Sequence, residues 1–566
     1  MLLTVLKNSS VATFLVLCLF SAGQAIASNV QPEISAAHTF EVAPEARFTD
    51  SDQVIEEVSS ESSFEAVNVV DAAFSQPLRF KLSGIVFIHL SVFEPLDLLP
   101  TYRHYLGKEI GLKELKSIAS KVTAMYRQRD KMLAYVLIPK QSVTAGIVRL
   151  EIVEAKISRL KIEGDFRGSS TYLKSFFNID ADNSHISLYE MRHGLLLLNN
   201  LPGLSATAEV QLIESLGDQL ELKVEVKQKR FSGGLSLDNR GTELMGEEQA
   251  LFSVNSYSAL AQFEQIQLRM ATTVDKDELE YYALNTHWPV GPYGSQAVLS
   301  VSSSNAEPGG FLEPLSLTFE NMSVDLGFIW SLNKSVIDET QLSVIVNYYQ
   351  SDNWLDNQKL LHAELYTLDM GLTHIARQYR QYYSRFSIQL QTSLQGLNEI
   401  DDLLENTVLA NGREDYSLVR VSEYFEDILN QHWALGYLLK AQYADDSLPA
   451  SRQFIFGGAD IGVAYDPAEL IGDHGLAFKV QLQYQLKQVY IPGVRSWLYG
   501  VYDVGRVWNI SLEERRSAAS VGLGYKIGSE SIFASVELVK PLTRPVLLEE
   551  DDGKDVRLFA SLKYYF

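Results

Sequence analysis

The final segment, Phe-Ala-Ser-Leu-Lys-Tyr-Tyr-Phe, alternates: Ala560, Leu562, Tyr564 and Phe566 point one way, and Ser561, Lys563 and Tyr565 the other. A period of two predicts a strand. Such a strand exposes an apolar face and an open edge, and lipid together with barrel closure disposes of both. A terminal strand of a soluble sandwich is the alternative. The pattern recurs upstream. In Phe478 to Leu486, residues Phe478, Val480, Leu482, Tyr484 and Leu486 alternate with Lys479, Gln481, Gln483 and Gln485. In Tyr383 to Leu394, Phe386, Ile388, Leu390 and Leu394 oppose Arg385, Ser387, Gln389 and Gln391. Long Gln-rich polar faces suit a wet lumen better than the outside of a sandwich. From about Phe231 onward, roughly 20 residues per strand and turn predicts on the order of 16 strands.

Upstream the texture is mixed. Phe80 to Leu90 reads as a strand. Gly111 to Arg129 reads as an amphipathic helix with Leu115, Ile118, Val122 and Met125 on one stripe. Strands follow at Ala134 to Pro139 and Ile147 to Ala155. A second unit repeats the theme, with a strand at Ile157 to Glu163 and helices at Ser169 to Phe177 and Leu188 to Leu198. Its last strands run over Ala206 to Ile213 and Gln219 to Lys227. Two small consecutive α+β units suggest periplasmic modules.

Met1 to Ala27 carries Lys7, an apolar core from Val11 to Phe20 and an Ala25-Ile26-Ala27 cleavage site, the pattern of a secretory signal. The apolar core is too short to span a bilayer. The single cysteine, Cys18, lies within it, so the mature chain offers neither disulfides nor thiol chemistry. Ser28 to about Gln76 is acidic and weakly patterned, a tether with a candidate short helix around Ser51 to Val70. Mean hydropathy of −0.03 predicts no run of helical spans, and alternation hides barrel strands from hydropathy scans. Aromatics reach 11%, 28 of them Tyr, which suits interfacial girdles. A net charge of −23 argues against nucleic acid as a partner.

Several phrases then occur in order. Tyr126-Arg127-Gln128-Arg129, Tyr135 through Gln141, Gly146 through Leu150 and Val153-Glu154 fall in the first unit. The second holds Leu198-Asn199-Asn200-Leu201-Pro202-Gly203. The barrel opens on Leu237-Asp238-Asn239-Arg240-Gly241. Phe456-Gly457-Gly458, Tyr465, Gly472-Asp473-His474-Gly475 and Tyr502-Asp503-Val504-Gly505-Arg506-Val507-Trp508 follow. Together they resemble a two-partner secretion outer-membrane transporter, TpsB, of the ShlB/FhaC/HecB haemolysin secretion/activation type within the POTRA–barrel superfamily. The resemblance covers nearly all of the mature chain.

The resemblance implies a transmembrane antiparallel β-barrel of about 16 strands preceded by two α+β POTRA domains. The expected divisions are a signal peptide (1–27), a plug and linker segment (28–76), POTRA 1 (77–155), POTRA 2 (156–230) and the barrel (231–566). It implies a Gram-negative outer-membrane location with the POTRA domains in the periplasm. The implied partners are a secreted TpsA-type exoprotein (adhesin or haemolysin-like and β-helical), outer-membrane lipid, and a barrel-assembly machinery that reads the strand ending in Phe566. Physical reasoning places cargo contact at the groove of the second unit, around Leu188 to Leu198 and Ala206 to Ile213, where an extended chain can add a strand.

One departure stands out. The family's Val-Arg-Gly-Tyr tetrad lies on a loop folded into the lumen, where its Arg meets an Asp matched here by Asp503. In this chain the tetrad reads Gly462-Val463-Ala464-Tyr465. The Arg position is Val463. Either Asp503 is solvated or another cation serves it, with Arg452 and Arg506 near in sequence. The expected inward-loop residues are Phe456, Gly457, Gly458, Val463, Tyr465, Gly472 and Asp473, with Asp503 and Gly505 on the wall. Asp238, Asn239 and Gly241 open the barrel. A loosely held loop follows, which Val463→Arg would tighten.

No catalytic, cofactor-binding or metal site is predicted. The ten His lack metal spacing, no nucleotide motif is visible, and Gly233-Gly234-Leu235-Ser236 is no nucleophile elbow. Asp401-Asp402 and Glu549 to Asp552 read as solvated loops. His287-Trp288-Pro289 with Gly291-Pro292-Tyr293-Gly294 reads as a tight turn. Three functions remain: a dedicated exporter, a barrel-assembly factor of the same superfamily, or a passive porin.

Overall fold

The computed structural model describes residues 79–90, 93–128, 133–139, 141–177, 188–212, 219–274, 278–335, 337–356, 358–378, 381–402, 412–486, 493–511, 515–546 and 553–566. The expected signal, the 28–76 segment with its candidate helix, and Glu549 to Asp552 lie outside them. The chain divides into a unit ending at Gln228 and a unit beginning at Lys229.

The amino-terminal unit runs β1 (Phe80–Lys81), β2 (Gly84–Ile88), α1 (Pro95–Tyr102), β3 (Glu109–Ile110), α2 (Leu112–Gln128), β4 (Leu133–Leu137), β5 (Ile147–Asp165), α3 (Ser170–Lys174), α4 (Leu188–Asn199), β6 (Leu204–Leu212) and β7 (Gln219–Gln228). The stripe of Leu115, Ile118 and Val122 on α2 is fully buried against Val148, Leu150 and Ile152 of β5. Gly111 donates its N–H to Glu114 Oε2 at 2.7 Å, which satisfies an orphan donor at the start of α2. Helix α1 has no counterpart in the sequence reading. Pro95 stands in its first turn, and Glu94 donates its N–H to Asp97 at 2.9 Å, a capping signal legible in the sequence.

The two strands expected at Ile147 to Ala155 and Ile157 to Glu163 are one. β5 pairs parallel with β2 over Ile147 to Glu151 and antiparallel with β4 over Glu151 to Ala155. It then pairs parallel with β7 from Lys156 to Asp165. The chain changes partner without ending, and a register irregularity between Ile157 and Arg159 absorbs the change. β6 lies at the end of the sheet, on β7.

The second unit is a closed antiparallel barrel. Its wall contains seventeen strand segments, but Tyr382–Ser393 and Glu399–Asp402 both lie along Gln358–Gln378 and form one interrupted strand, leaving sixteen. Burial reverses the soluble pattern. Lys479, Gln481 and Gln483 are buried, while Phe478 and Leu482 are exposed. Ser387 and Gln391 are buried, while Phe386, Ile388 and Leu390 are exposed. A polar inside and an apolar outside require lipid around the wall. Leu394 and Leu486 fall just beyond their strands. Two local expectations are corrected. Asp401 and Asp402 lie in a strand, paired with His362 and Leu361, and not in a loop. His287 to Pro289 belong to the strand Glu280–Val290, and the turn is confined to Gly291 through Gly294, because Pro289 sits near the hairpin end opposite Gln296.

Candidate functional site

Strands Trp433–Ala444 and His474–Gln485 pair directly, so the chain between them forms a loop. It carries a small ribbon in which Phe454–Phe456 pairs with Leu470–Gly472. The tip is buried: Ile461, Val463, Ala464, Tyr465 and Ala468 are at most 2% exposed. Gly457 starts the tip at φ +126°, where a Cβ would stand 2.1 Å from the Asp466 carbonyl oxygen. Gly458 donates to the Tyr465 carbonyl at 3.0 Å and closes the tip. The Phe456 ring lies on the Cα of Gly505, where a Cβ would come within 2.2 Å of it. Tyr465 Oη donates to the carbonyls of Ala519 (3.1 Å) and Arg544 (3.3 Å). Asp473 accepts from the N–H groups of Leu448 and Ile510, both at 2.8 Å, and from Gln453 Nε2 at 3.2 Å. It thereby ties the loop's ends together. Gly472 pairs with Phe454 at the base.

The tetrad meets the wall through its backbone. Asp503 is fully buried and accepts from the N–H groups of Gly462 (3.0 Å) and Val463 (2.9 Å) through Oδ2, and from Ser520 through Oδ1. The loosely held loop is therefore not found, and Asp503 is not solvated. Neither suggested arginine serves it. Arg506 is exposed and lies over the Trp508 ring, and Arg452 reaches Asn347. Asp503's cross-strand neighbour is Lys479, which donates to the carbonyls of Ala459 (3.2 Å) and Asp460 (3.0 Å). The Val463 side chain fills an apolar pocket with Val501, Val539 and Phe559.

A family model described as haemolysin secretion/activation protein ShlB/FhaC/HecB matches residues 218–527, and one for the ShlB-type POTRA domain matches 80–155. The chain belongs to this family. The heme/hemopexin transporter protein HuxB of Haemophilus influenzae is 19% identical over 490 residues, covering 83% of this chain and 85% of HuxB. The outer membrane transporter CdiB of Dickeya dadantii is 20% identical over 485 residues, 83% and 84% of the two chains. The solved structure of CdiB from Escherichia coli superimposes with a TM-score of 0.62 at 15% identity, over 93% of this chain and 99% of that one, which speaks for the fold. The protein is an outer-membrane β-barrel transporter whose POTRA modules lie in the periplasm.

In this family member the phrase that opens the barrel serves its closure. The first barrel strand, Phe231–Asp238, pairs with the last, Arg557–Tyr565. Beyond the first strand's end, Asn239 continues the pairing: Nδ2 donates to the Leu558 carbonyl at 3.1 Å, and Oδ1 accepts from Ala560 N–H at 2.7 Å. Asp238 accepts from Arg240 N–H at 3.1 Å, and Gly241 donates to the Glu247 carbonyl at 3.0 Å. Phe566 exchanges backbone hydrogen bonds with Gly233, at 3.0 and 3.1 Å, toward the opposite end of the first strand and away from the loop.

Besides Lys479, sequence reasoning did not place Lys440, Arg240 and Arg557 at the loop. Lys440 pairs with Asp460 at 2.6 Å. Arg240 donates to the Val463 carbonyl at 3.3 Å, and Arg557 donates to the Ala464 carbonyl at 3.0 Å and to Asp466 at 2.6 Å. Arg240 stood inside a quoted phrase, but nothing local marked Arg557 or Lys440. Beside the loop a cavity of about 390 Å³ is lined by Asp325, Asn347, Asp369, Arg420 and Arg452, among others. Among the described residues no cluster of His, Cys, Asp or Glu is suited to a metal.

Proposed function

We propose that this transporter exports one secreted exoprotein, captures it in extended form on its second POTRA module, and draws on binding and on cargo folding outside in place of ATP. The carrying observation is the edge strand β6. Asn199, at the end of α4, donates to the Ala206 carbonyl at 3.0 Å and accepts from Ala206 N–H at 2.7 Å. Ala206 thus turns its backbone groups away from β7. By the period of two, Ala208 and Val210 turn theirs the same way. Asn199 fills the first position of that edge, and among the described residues no strand pairs with the rest of it, which suits an incoming strand whose side chains would supply selectivity. The absence of any phosphate-binding loop in the sequence agrees with transport that uses no nucleotide. That HuxB and CdiB are named as transporters supports the same reading.

The test compares culture-fluid and outer-membrane proteomes with and without the gene. Loss of one large secreted or surface protein is the expected result and names the partner. Broad depletion of barrel proteins would make the chain an assembly factor, and no change in either fraction would leave a porin-like role.

A further inference from the structure

We propose that Arg240 and Arg557 are positioning residues that make the inward loop a brace across the barrel seam, so that release of the loop and opening of the seam are linked. The inference concerns the barrel itself and does not depend on which cargo is carried.

The seam between the first and last strands has five registered pairs, from Ser561 with Asp238 to Tyr565 with Gly234. By contrast, eighteen join Asp338–Leu355 to Gln358–Gln378. Even with the Gly233–Phe566 exchange and the Asn239 side chain added, the seam is the shortest ladder joining whole strands of the wall, against eight pairs at each adjoining junction, so an added tie counts for most there. Arg240 lies just past the first strand, and Arg557 begins the last. Their guanidinium groups lie over the same Phe559 ring, 4.4 and 5.0 Å from its centre. From these two sides of the seam they grasp consecutive loop carbonyls, Val463 and Ala464. Arg240 is also paired with Glu537, and Arg557 with Asp466 of the loop.

The loop backbone is thus held on both faces. Its N–H groups go to Asp503 and Ser520 on the strands Arg495–Trp508 and Arg515–Gly528. Its carbonyls go to two cations that straddle the seam. A guanidinium on a buried carbonyl is a strong hydrogen bond and loses its partner when the loop leaves. Departure of the loop would take the Ala464 carbonyl and Asp466 from Arg557 and the Val463 carbonyl from Arg240, leaving Arg240 to Glu537 on the wall. The two neighbouring guanidinium groups then lose the partner that joins them and part of the charge that offsets their repulsion. Loop and seam then stabilise one another reciprocally.

The experiment uses the full-length protein in detergent micelles, with Cys18→Ser and Ala464→Cys as a loop reporter read by maleimide labelling. Hydrogen exchange reads the seam at residues 233–238 and 559–566. The pair Arg240→Met and Arg557→Met is expected to raise loop labelling and seam exchange together, each about tenfold, the effect of losing roughly one charged hydrogen bond. Exchange in 338–378 stays unchanged, and the corresponding pair of Lys variants falls between. Rising loop labelling with wild-type seam exchange would overturn the proposal and make the arginines loop anchors only. A uniform rise around the barrel, or no rise anywhere, would overturn it equally. If the Met pair fails to assemble, the two single Lys variants are read by the same parallel change.

Discussion

At the scale of single residues, the tetrad Gly462 to Tyr465 is held without the arginine that the resemblance led one to expect at Val463. The arginine expected from the resemblance would have put a charge on the loop aimed at the wall. Here the wall supplies the cations, and the loop answers with carbonyls and Asp466. Asp503 keeps its place because two backbone N–H groups and Ser520 satisfy it. Val463→Arg is therefore expected to weaken the barrel, contrary to the sequence expectation. It would push a guanidinium into an apolar pocket beside Arg240 and Arg557, at a cost on the order of 3 kcal/mol. The apparent Tm of the folded band in heat-modifiability gels checks it; an unchanged or higher Tm would contradict the packing argument. Gly505→Ala is expected to cost about 1–3 kcal/mol by driving a Cβ into the Phe456 ring. Phe456→Leu should recover part of that loss, and the same gels read both. The motif residues Gly505 and Phe456, 49 positions apart in sequence, are thus two halves of one contact.

At the scale of elements, the edge of β6 carries the functional prediction. Ala208→Pro removes an N–H that faces away from β7, and proline is tolerated at such an edge position. Export of the partner is expected to fall at least tenfold while barrel level and heat-modifiability stay unchanged, an effect of losing about one backbone hydrogen bond and its approach geometry. Undiminished secretion would remove β6 as the docking edge. Helix α4 adds a pH dependence. Burial holds the half-buried His193 below its ordinary value. The unfolded chain therefore binds a proton more readily than the folded one. The stability associated with neutral His193 is present above about pH 6.5 and is lost as pH falls through the lower folded value. His193→Gln should flatten that acid limb in denaturant titrations of the full chain followed through its amino-terminal unit. The continuous β5 carries a further lesson. Alternation predicts strands well but says nothing of partners, so a strand that changes partner midway reads as two.

At the scale of the whole barrel, the inward loop subdivides the lumen. Arg452 at the base of its ribbon reaches Asn347 and lies over Tyr349, on a strand four places round the wall. Arg420 and Gln442 both donate to the Arg452 carbonyl at 3.0 Å. Arg452→Ala should raise single-channel conductance in planar bilayers by joining the adjacent cavity to open lumen. An unchanged conductance would mean the loop tip alone sets the passage. By itself the sequence determined the class of molecule. A period of two with Gln-rich inner faces dictates a lipid-bounded barrel, since side-chain alternation is a local property of extended backbone. It also determined the stripe of α2 and the ordered motifs that mark the family. The tertiary structure alone decided what those motifs touch: which cations face the loop, that the barrel's opening phrase works at its closure, and that a missing arginine leaves no vacancy. Such contacts join residues as far apart as Arg240 and Val463, and they depend on register and barrel closure, which local pattern does not encode.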